Sequence, residues 1–316
     1  MINKVSVIAP ARLHMGFMDL SGSLGRHFGS IGVALNEINT HLTLTAAEQF
    51  TLSGCAPPRS EKTLKHFCNV LKVSDKLHLN FESSIPEHVG LGSGTQLALA
   101  IGSALNHFYT LNLSVRDIAT LSDRGARSGI GIGVFERGGL VVDGGRGENT
   151  QTPPVISQLS LPDDWYFLLV FDKRGQGLHG QQEIQAFKEL PPFPQQEAAR
   201  LCYLLLMQGL PAVAENNLEL FGDVISQLQH SVGQHFSTAQ GGVFTSSEVA
   251  AAMAWLQQQG AVAIGQTSWG PTGFCAIKGK NTAQALIREL EKRNTENNLS
   301  FQMTRTQNKA AKIQLT

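Results

Sequence analysis

"IPEHVGLGSGTQLALAIGSAL", Ile85–Leu105, is the stretch from which this chain is best read. Gly90, Gly92, Ser93 and Gly94 stand directly before a run whose apolar spacing predicts a helix from Gln96 to Tyr109. A helix start exposes backbone N–H groups without partners and the positive end of the helix dipole. Glycines ahead of it let a ligand approach the backbone closely. The combination describes an anion site, most often one for phosphate, with Ser93 and Thr95 as added hydroxyl donors. The loop lacks the Lys of a Walker loop and the spacing of a dinucleotide fingerprint. Taken alone it also suits a structural turn, with Thr95 and Gln96 as capping residues.

The surrounding composition narrows the choice. The chain has 316 residues, 42% hydrophobic and 16% charged, with a formal net charge of zero. That length predicts two domains. The charge balance argues against nucleic acid or an anionic membrane as partner, so anion binding must be local. The longest apolar stretch, "WYFLLVF" at Trp165–Phe171, suits a buried strand and is too short to span a bilayer. "MINKVSVIAPARLH" has no signal-peptide pattern, so a cytoplasmic protein is expected. Cys55, Cys68, Cys202 and Cys275 have no metal-ligand spacing and are expected as buried small apolar residues.

Periodicity predicts strands at 4–9, 41–46 and 76–83, a helix at 60–73, and a helix capped by Ser114. "IGIGVFERGGLVVDGG" (130–145) alternates and reads as strand, turn, strand, turning at Arg137-Gly138-Gly139. The polar, Pro-containing segment 146–164 marks a junction. Beyond it come a strand at 165–171, helices near 195–208, 211–229 and 246–259, strands at 261–266 and 273–278, a helix at 281–293 and a strand at 299–305. The expected class is α+β.

Three ordered motifs resemble the GHMP kinase superfamily: "APARLHMGFMDL" (9–20), "PEHVGLGSGTQLALA" (86–100) and "IGQTSWGPTGFCAI" (264–277). The resemblance implies a two-domain fold. An N-terminal domain like ribosomal protein S5 domain 2 (1–160) carries the glycine loop, and a ferredoxin-like C-terminal domain (161–316) closes over it. The chain departs from the kinases at two places. Their S-G-x-D motif appears as Ser128-Gly129-Ile130-Gly131, and glycine cannot act as a base. Their opening Gly-Glu pair is also missing. "ARLHMGFMDL…GRHFGSIGVAL", "RGARSGIGIGVFERGGLVVDGG" and "SWGPTGF" together resemble one branch, the β-ribofuranosylaminobenzene 5′-phosphate synthases.

That branch implies a pentosyltransferase of methanopterin-type cofactor biosynthesis. It joins phosphoribosyl pyrophosphate to 4-aminobenzoate or 4-hydroxybenzoate and releases pyrophosphate and CO2. Mg2+ is expected to assist, no organic cofactor is expected, and a homodimer is the family expectation. An ATP-dependent small-molecule kinase and a non-catalytic ligand sensor are the competing readings. The leaving pyrophosphate is assigned to Gly90, Gly92, Ser93, Gly94, Thr95 and Gln96. Asp19, Arg26 and His27 are the catalytic candidates, with Arg26 positioning the benzoate carboxylate. Arg12, His14, Arg127, Ser128 and Ser268 are substrate-binding candidates, because Arg forks suit oxyanions. Arg124 is a further cation in the same stretch. "DKRGQGLHGQQEI" (172–184) offers Arg174, His179 and Glu183 on a loop read as a lid. Glu136 and Asp143 read as edge-strand charges, and Trp269 as an aromatic neighbour.

Overall fold

The computed structural model describes residues 2–175, 190–267 and 270–316. Its backbone is organised by one long hairpin, β1 (Lys4–Asp19) against β2 (Phe28–Ala46). The predicted strands 4–9 and 41–46 are only the outer ends of these. Ala11 to Met18 is buried except for Arg12, so the half-exposed alternation that marks a strand is absent there. The hairpin register slips between Pro10 and Ala11 and between His14 and Gly16. Such bulges bend a strand and re-aim its side chains.

Among the described residues the hairpin belongs to a seven-stranded sheet. β3 (Thr51–Gly54) and β4 (Leu77–Ser83) extend it beyond β2, and β5 (Leu140–Asp143) and β6 (Val155–Leu159) branch from β2. Helices α1 (Ser60–Leu71) and α2 (Ser93–Phe108) bury Leu64, Phe67, Leu97 and Ile101 against Val5, Val7, Leu42 and Leu44. α3 (Val115–Leu121) opens on Ser114, whose hydroxyl accepts from Asp117 N–H while Asp117 reaches back, the predicted cap completed as a capping box.

Residues 130–137 correct the strand–turn–strand reading: they form helix α4 (Ile130–Arg137), followed by β5. The alternation Ile-Gly-Ile-Gly comes from packing on opposite sides, because both glycines are close-contact positions. A methyl at Gly131 would lie 2.9 Å from Thr95 Cγ2, and one at Gly133 2.6 Å from Val141 Cγ1. Residues 130–135 are all buried, so no polar face reveals the helical period there.

The second sheet has the order β10–β7–β9–β8: β7 (Trp165–Asp172), β8 (Val262–Gln266), β9 (Gly273–Lys278) and β10 (Leu299–Arg305). Helix α5 (Gln195–Leu204) rests on β1, and a π-turn at Leu205–Gly209 joins it to α6 (Leu210–Ala214). Helices α7 (Leu218–Gln240), α8 (Ser247–Gln258) and α9 (Lys280–Arg293) pack on the second sheet, and α5 and α6 rest on α7. One apolar cluster draws on both sheets, from Leu13, Met15 and Ile31 to Phe167, Phe221 and Phe274. β11 (Lys312–Leu315) leaves the second sheet's vicinity and pairs antiparallel with Val5–Ile8 of β1. Cys68 and Cys275 are buried as expected, but Cys55 and Cys202 are exposed. Among the described residues no helix is long and apolar enough to cross a membrane.

Candidate active site

The glycine loop opens α2 as the sequence requires, with two of its glycines at positive φ. Gly90 and Gly92 both have φ of 78°, a left-handed conformation that an L side chain adopts only with strain. Gly92 is the N-cap, and its carbonyl accepts from the amides of Thr95 and Gln96. The first turn of α2 holds no acidic residue, so its positive dipole end meets no carboxylate of its own. α4 contrasts with it. Asp143 accepts from Gly129 N–H at 2.9 Å, occupying that helix start with the protein's own anion.

Three guanidinium groups surround the α2 start. Arg12, on β1, donates Nη1–H to the Gly90 carbonyl, and a methyl at Gly92 would lie 2.8 Å from its Cγ. Arg59, just before α1, has Nη1 2.8 Å from where a methyl on Gly94 would lie, and Arg124 Nη1 is 3.4 Å from the same point. Burial and the neighbouring Arg59 charge lower the Arg124 pKa, although an arginine stays charged. Glu87 balances Arg59 with an Oε1–Nε distance of 2.7 Å. The result is a concentration of positive charge at a helix N-terminus, in a chain with no net charge.

The closing motif is packed onto this loop. Thr267 donates its hydroxyl to Gly90 O at 2.9 Å, and Thr272 donates to Val89 O at 2.7 Å. His14 N–H donates to Thr267 Oγ1 at 3.3 Å. The three sequence motifs therefore meet around Gly90. Gln96 is buried and donates Nε2–H to Gly131 O at 2.7 Å, tying the α2 start to α4.

The other candidates fall elsewhere. Asp19, Arg26 and His27 lie at the hairpin tip, seven residues and on the order of 20 Å of strand beyond Arg12. Asp19 Oδ1 accepts from Ser21 N–H at 2.8 Å and Ser21 Oγ–H at 2.6 Å, closing the turn. Arg26 donates Nε–H and Nη2–H to the carbonyls of Gly144 and Gly145, each at 2.8 Å, fastening the tip to the β5–β6 connection. His27 pairs with Arg146 through the backbone. Ser128 shares a network with Ser30, 2.7 Å away, and Asp143. Asp143 is a buried β5 carboxylate rather than an edge charge, accepting from Ser30, Ser128, Gly129 and Gly145; burial still raises its pKa. Arg127 precedes Ser128 in the same connection, and Glu136, on α4, pairs with Arg116 at 3.4 Å.

Arg174 pairs with Asp172 at 2.9 Å and Glu248 at 2.7 Å. That arginine holds the Asp172 carboxyl well below the usual range. His179, Glu183, Ser268 and Trp269 lie outside the described residues, as does most of the expected lid. The sequence reading missed Arg59, Thr267 and Thr272. Arg59 carried no signal beyond a cation in a Pro-Pro-Arg-Ser turn, whereas both threonines flank the "SWGPT" motif.

The described residues offer the expected Mg2+ no protein cage. Among the described residues no three His, Cys, Asp or Glu side chains gather as metal ligands. Glu87 is engaged by Arg59, Asp19 by its own turn and Asp143 by its donors. These residues do not fit a protein-held ion. Two surface clefts, of about 370 and 570 Å³, are lined by other residues: Trp255 and Arg293 in one, Arg200 and His230 in the other.

The sequence matches the family description "GHMP kinases N terminal domain" over residues 60–137 and "GHMP kinases C terminal" over 210–296. Among solved structures, homoserine kinase from Cytophaga hutchinsonii superposes with a TM-score of 0.70 at 17% identity, covering 99% of this chain and 98% of that one. Galactokinase of Lactococcus lactis, complexed with galactose, gives a TM-score of 0.70 at 14% identity, covering 98% and 95%. These confirm the expected fold. A protein of Archaeoglobus fulgidus named beta-ribofuranosylphenol 5′-phosphate synthase is 36% identical over 233 residues, 70% of this chain and 74% of that relative. One of the same name from Methanocaldococcus jannaschii is 34% identical over 250 residues, 70% and 75% of the two chains. On the GHMP kinase fold, the chain belongs to the β-ribofuranosylphenol 5′-phosphate synthase family.

Proposed function

We propose that this chain condenses phosphoribosyl pyrophosphate with 4-hydroxybenzoate, releasing pyrophosphate and CO2, in an early step of methanopterin-type cofactor biosynthesis. The hydroxy acid is preferred because the relatives' name specifies a phenol product. The observation that carries the reading is the cluster of Arg12, Arg59 and Arg124 around the open α2 start. Fixed donors and cations there act on the leaving pyrophosphate, where negative charge develops.

The chemistry balances without an external base. The bond from ribose C1 to pyrophosphate breaks, leaving an oxocarbenium-like C1. The ring carbon bearing the carboxylate attacks C1 with a π-electron pair, forming the C–C bond. Loss of CO2 returns the electron pair of the C–CO2 bond to the ring and restores aromaticity. No net proton moves, so the absence of the S-G-x-D aspartate leaves this reaction intact. Mg2+ enters this reading only as a companion of the pyrophosphate.

The kinase reading loses its base at Gly131 and could not regain it by simple substitution, because an added Cβ meets Thr95 at 2.9 Å. Release of labelled CO2 from carboxyl-labelled 4-hydroxybenzoate, dependent on phosphoribosyl pyrophosphate, is the test, with ATP as control. Arg124→Gln is expected to raise KM for phosphoribosyl pyrophosphate about tenfold, as for one charged hydrogen bond. ATP-dependent phosphorylation without CO2 release would overturn the proposal.

A further inference from the structure

Two residues along β1 from Arg12, between that strand and α7, lies a recess of about 20 Å³. His14, Phe17, Val232, Phe236, Gln240 and Gln266 line it. His14 is only 2% exposed. Its Nδ1 accepts from Gly16 N–H at 3.3 Å, which places the ring proton on Nε2. Nε2 has no hydrogen-bond partner among the described residues, although it is buried. An unsatisfied buried donor is costly, and one retained in a native structure calls for an explanation, a bound molecule among them.

Arg12 and His14 stand two apart on β1 and share one face, about 7 Å from each other along the strand. A substrate lying along this face with its anionic end on the arginine side extends its far end toward His14. Within the transferase reading, on which this inference rests, that far end is the para substituent of the benzoate. The carboxylate-bearing carbon must face ribose C1 and the pyrophosphate. A carboxylate could not be buried among Phe17, Val232 and Phe236 against neutral donors alone, the Gln240 and Gln266 amides being engaged already.

We propose that this recess is the aromatic-acid subsite, with His14 Nε2–H donating to the para oxygen and so selecting 4-hydroxybenzoate over 4-aminobenzoate. The phenol oxygen has a lone pair for that donor. The para amine directs its own N–H groups outward and delocalises its lone pair into the ring, so donor meets donor. Burial, followed by the charge on Arg12, lowers the His14 pKa to about 3, so the ring stays a neutral donor at physiological pH. A neutral donor also leaves the ring's electron push less damped than an imidazolium would.

The recess as it stands has room for about one water. The ring must part its walls to enter. The 570 Å³ cleft shares Gln229, Val243 and Gln266 with the recess, so these residues stand between the two.

The test compares kcat/KM for the hydroxy and amino acids in the wild type, His14→Phe and Val232→Trp. The wild type is expected to prefer the hydroxy acid by about 10- to 100-fold, the worth of one satisfied buried donor. His14→Phe should bring the two acids to similar values while KM for phosphoribosyl pyrophosphate holds. Val232→Trp fills the recess from α7 and should raise KM for both acids. If His14→Phe fails to fold, the imidazole Nε2–H resonance of the wild type is followed instead. It should move downfield on adding 4-hydroxybenzoate with pyrophosphate. An unchanged acid ratio in folded His14→Phe, a wild-type preference for the amine, or an unmoved resonance would overturn the assignment. Turnover with an unchanged ratio defeats this subsite alone, whereas no CO2 from either acid defeats the transferase reading itself.

Discussion

At the scale of single residues, Gly92 and His14 make opposite demands. Gly92 has a φ of 78°, and an added methyl would meet Arg12 Cγ at 2.8 Å. Gly92→Ala is therefore expected to cost about 1–2 kcal/mol through left-handed strain, and to push Arg12 from its position. Thermal denaturation should show the first effect, and calorimetric titration with phosphoribosyl pyrophosphate should show the second as lost affinity. His14 links the site to acid stability. Its pKa is about 3 when folded, against an ordinary 6.5. Between these values the unfolded chain binds a proton that the folded chain does not, so stability falls as pH drops through that window. The full effect is on the order of 4–5 kcal/mol. Urea unfolding at pH 4 and pH 7 should differ less for His14→Gln than for the wild type; equal differences would refute the linkage. The glycine loop and Arg12 were readable because backbone conformation and motif position announce them. Arg59 was not, since only the packing of α1 beside α2 brings it to Gly94.

Among the elements, α1 and α8 were readable from their helical period and β7 from its short unbroken apolar run. α4 was not, because residues 130–135 are all buried, with close contacts at glycines 131 and 133. The buried middle of the hairpin hid for a related reason, since a strand covered on both faces has no alternation to read. The connection from β8 to β9 carries a prediction of its own. Thr272 holds it to Val89 O at 2.7 Å and is fully buried. Thr272→Val keeps the shape and leaves that carbonyl without its donor, at a cost of about 1–3 kcal/mol. The glycine loop should also loosen, which amide hydrogen exchange at residues 89–94 would report as faster opening. Unchanged protection there would separate the connection from the loop.

For the whole molecule, the α+β class was legible in the sequence, but the return of β11 was not. Four residues of alternating Lys-Ile-Gln-Leu carry too little pattern to name a partner. The pairing covers Val5–Ile8, and Asn3 and Lys4 donate to Thr316 O at 3.0 and 2.9 Å. Deletion of residues 311–316 should lower the melting temperature by roughly 2–3 °C, the yield of about 1–2 kcal/mol in a chain of this size. It should also increase concentration-dependent association, because the β1 edge becomes unpaired. An unchanged melting temperature would make β11 a passive extension. The same strand sets a timetable for biosynthesis. Residues 312–315 leave the ribosome about 300 residues after the segment they cover. At translation speeds of roughly 5–20 residues per second, that is on the order of tens of seconds. Throughout that interval the nascent chain carries an open β-edge, and the cell must shield it until the closing strand is made.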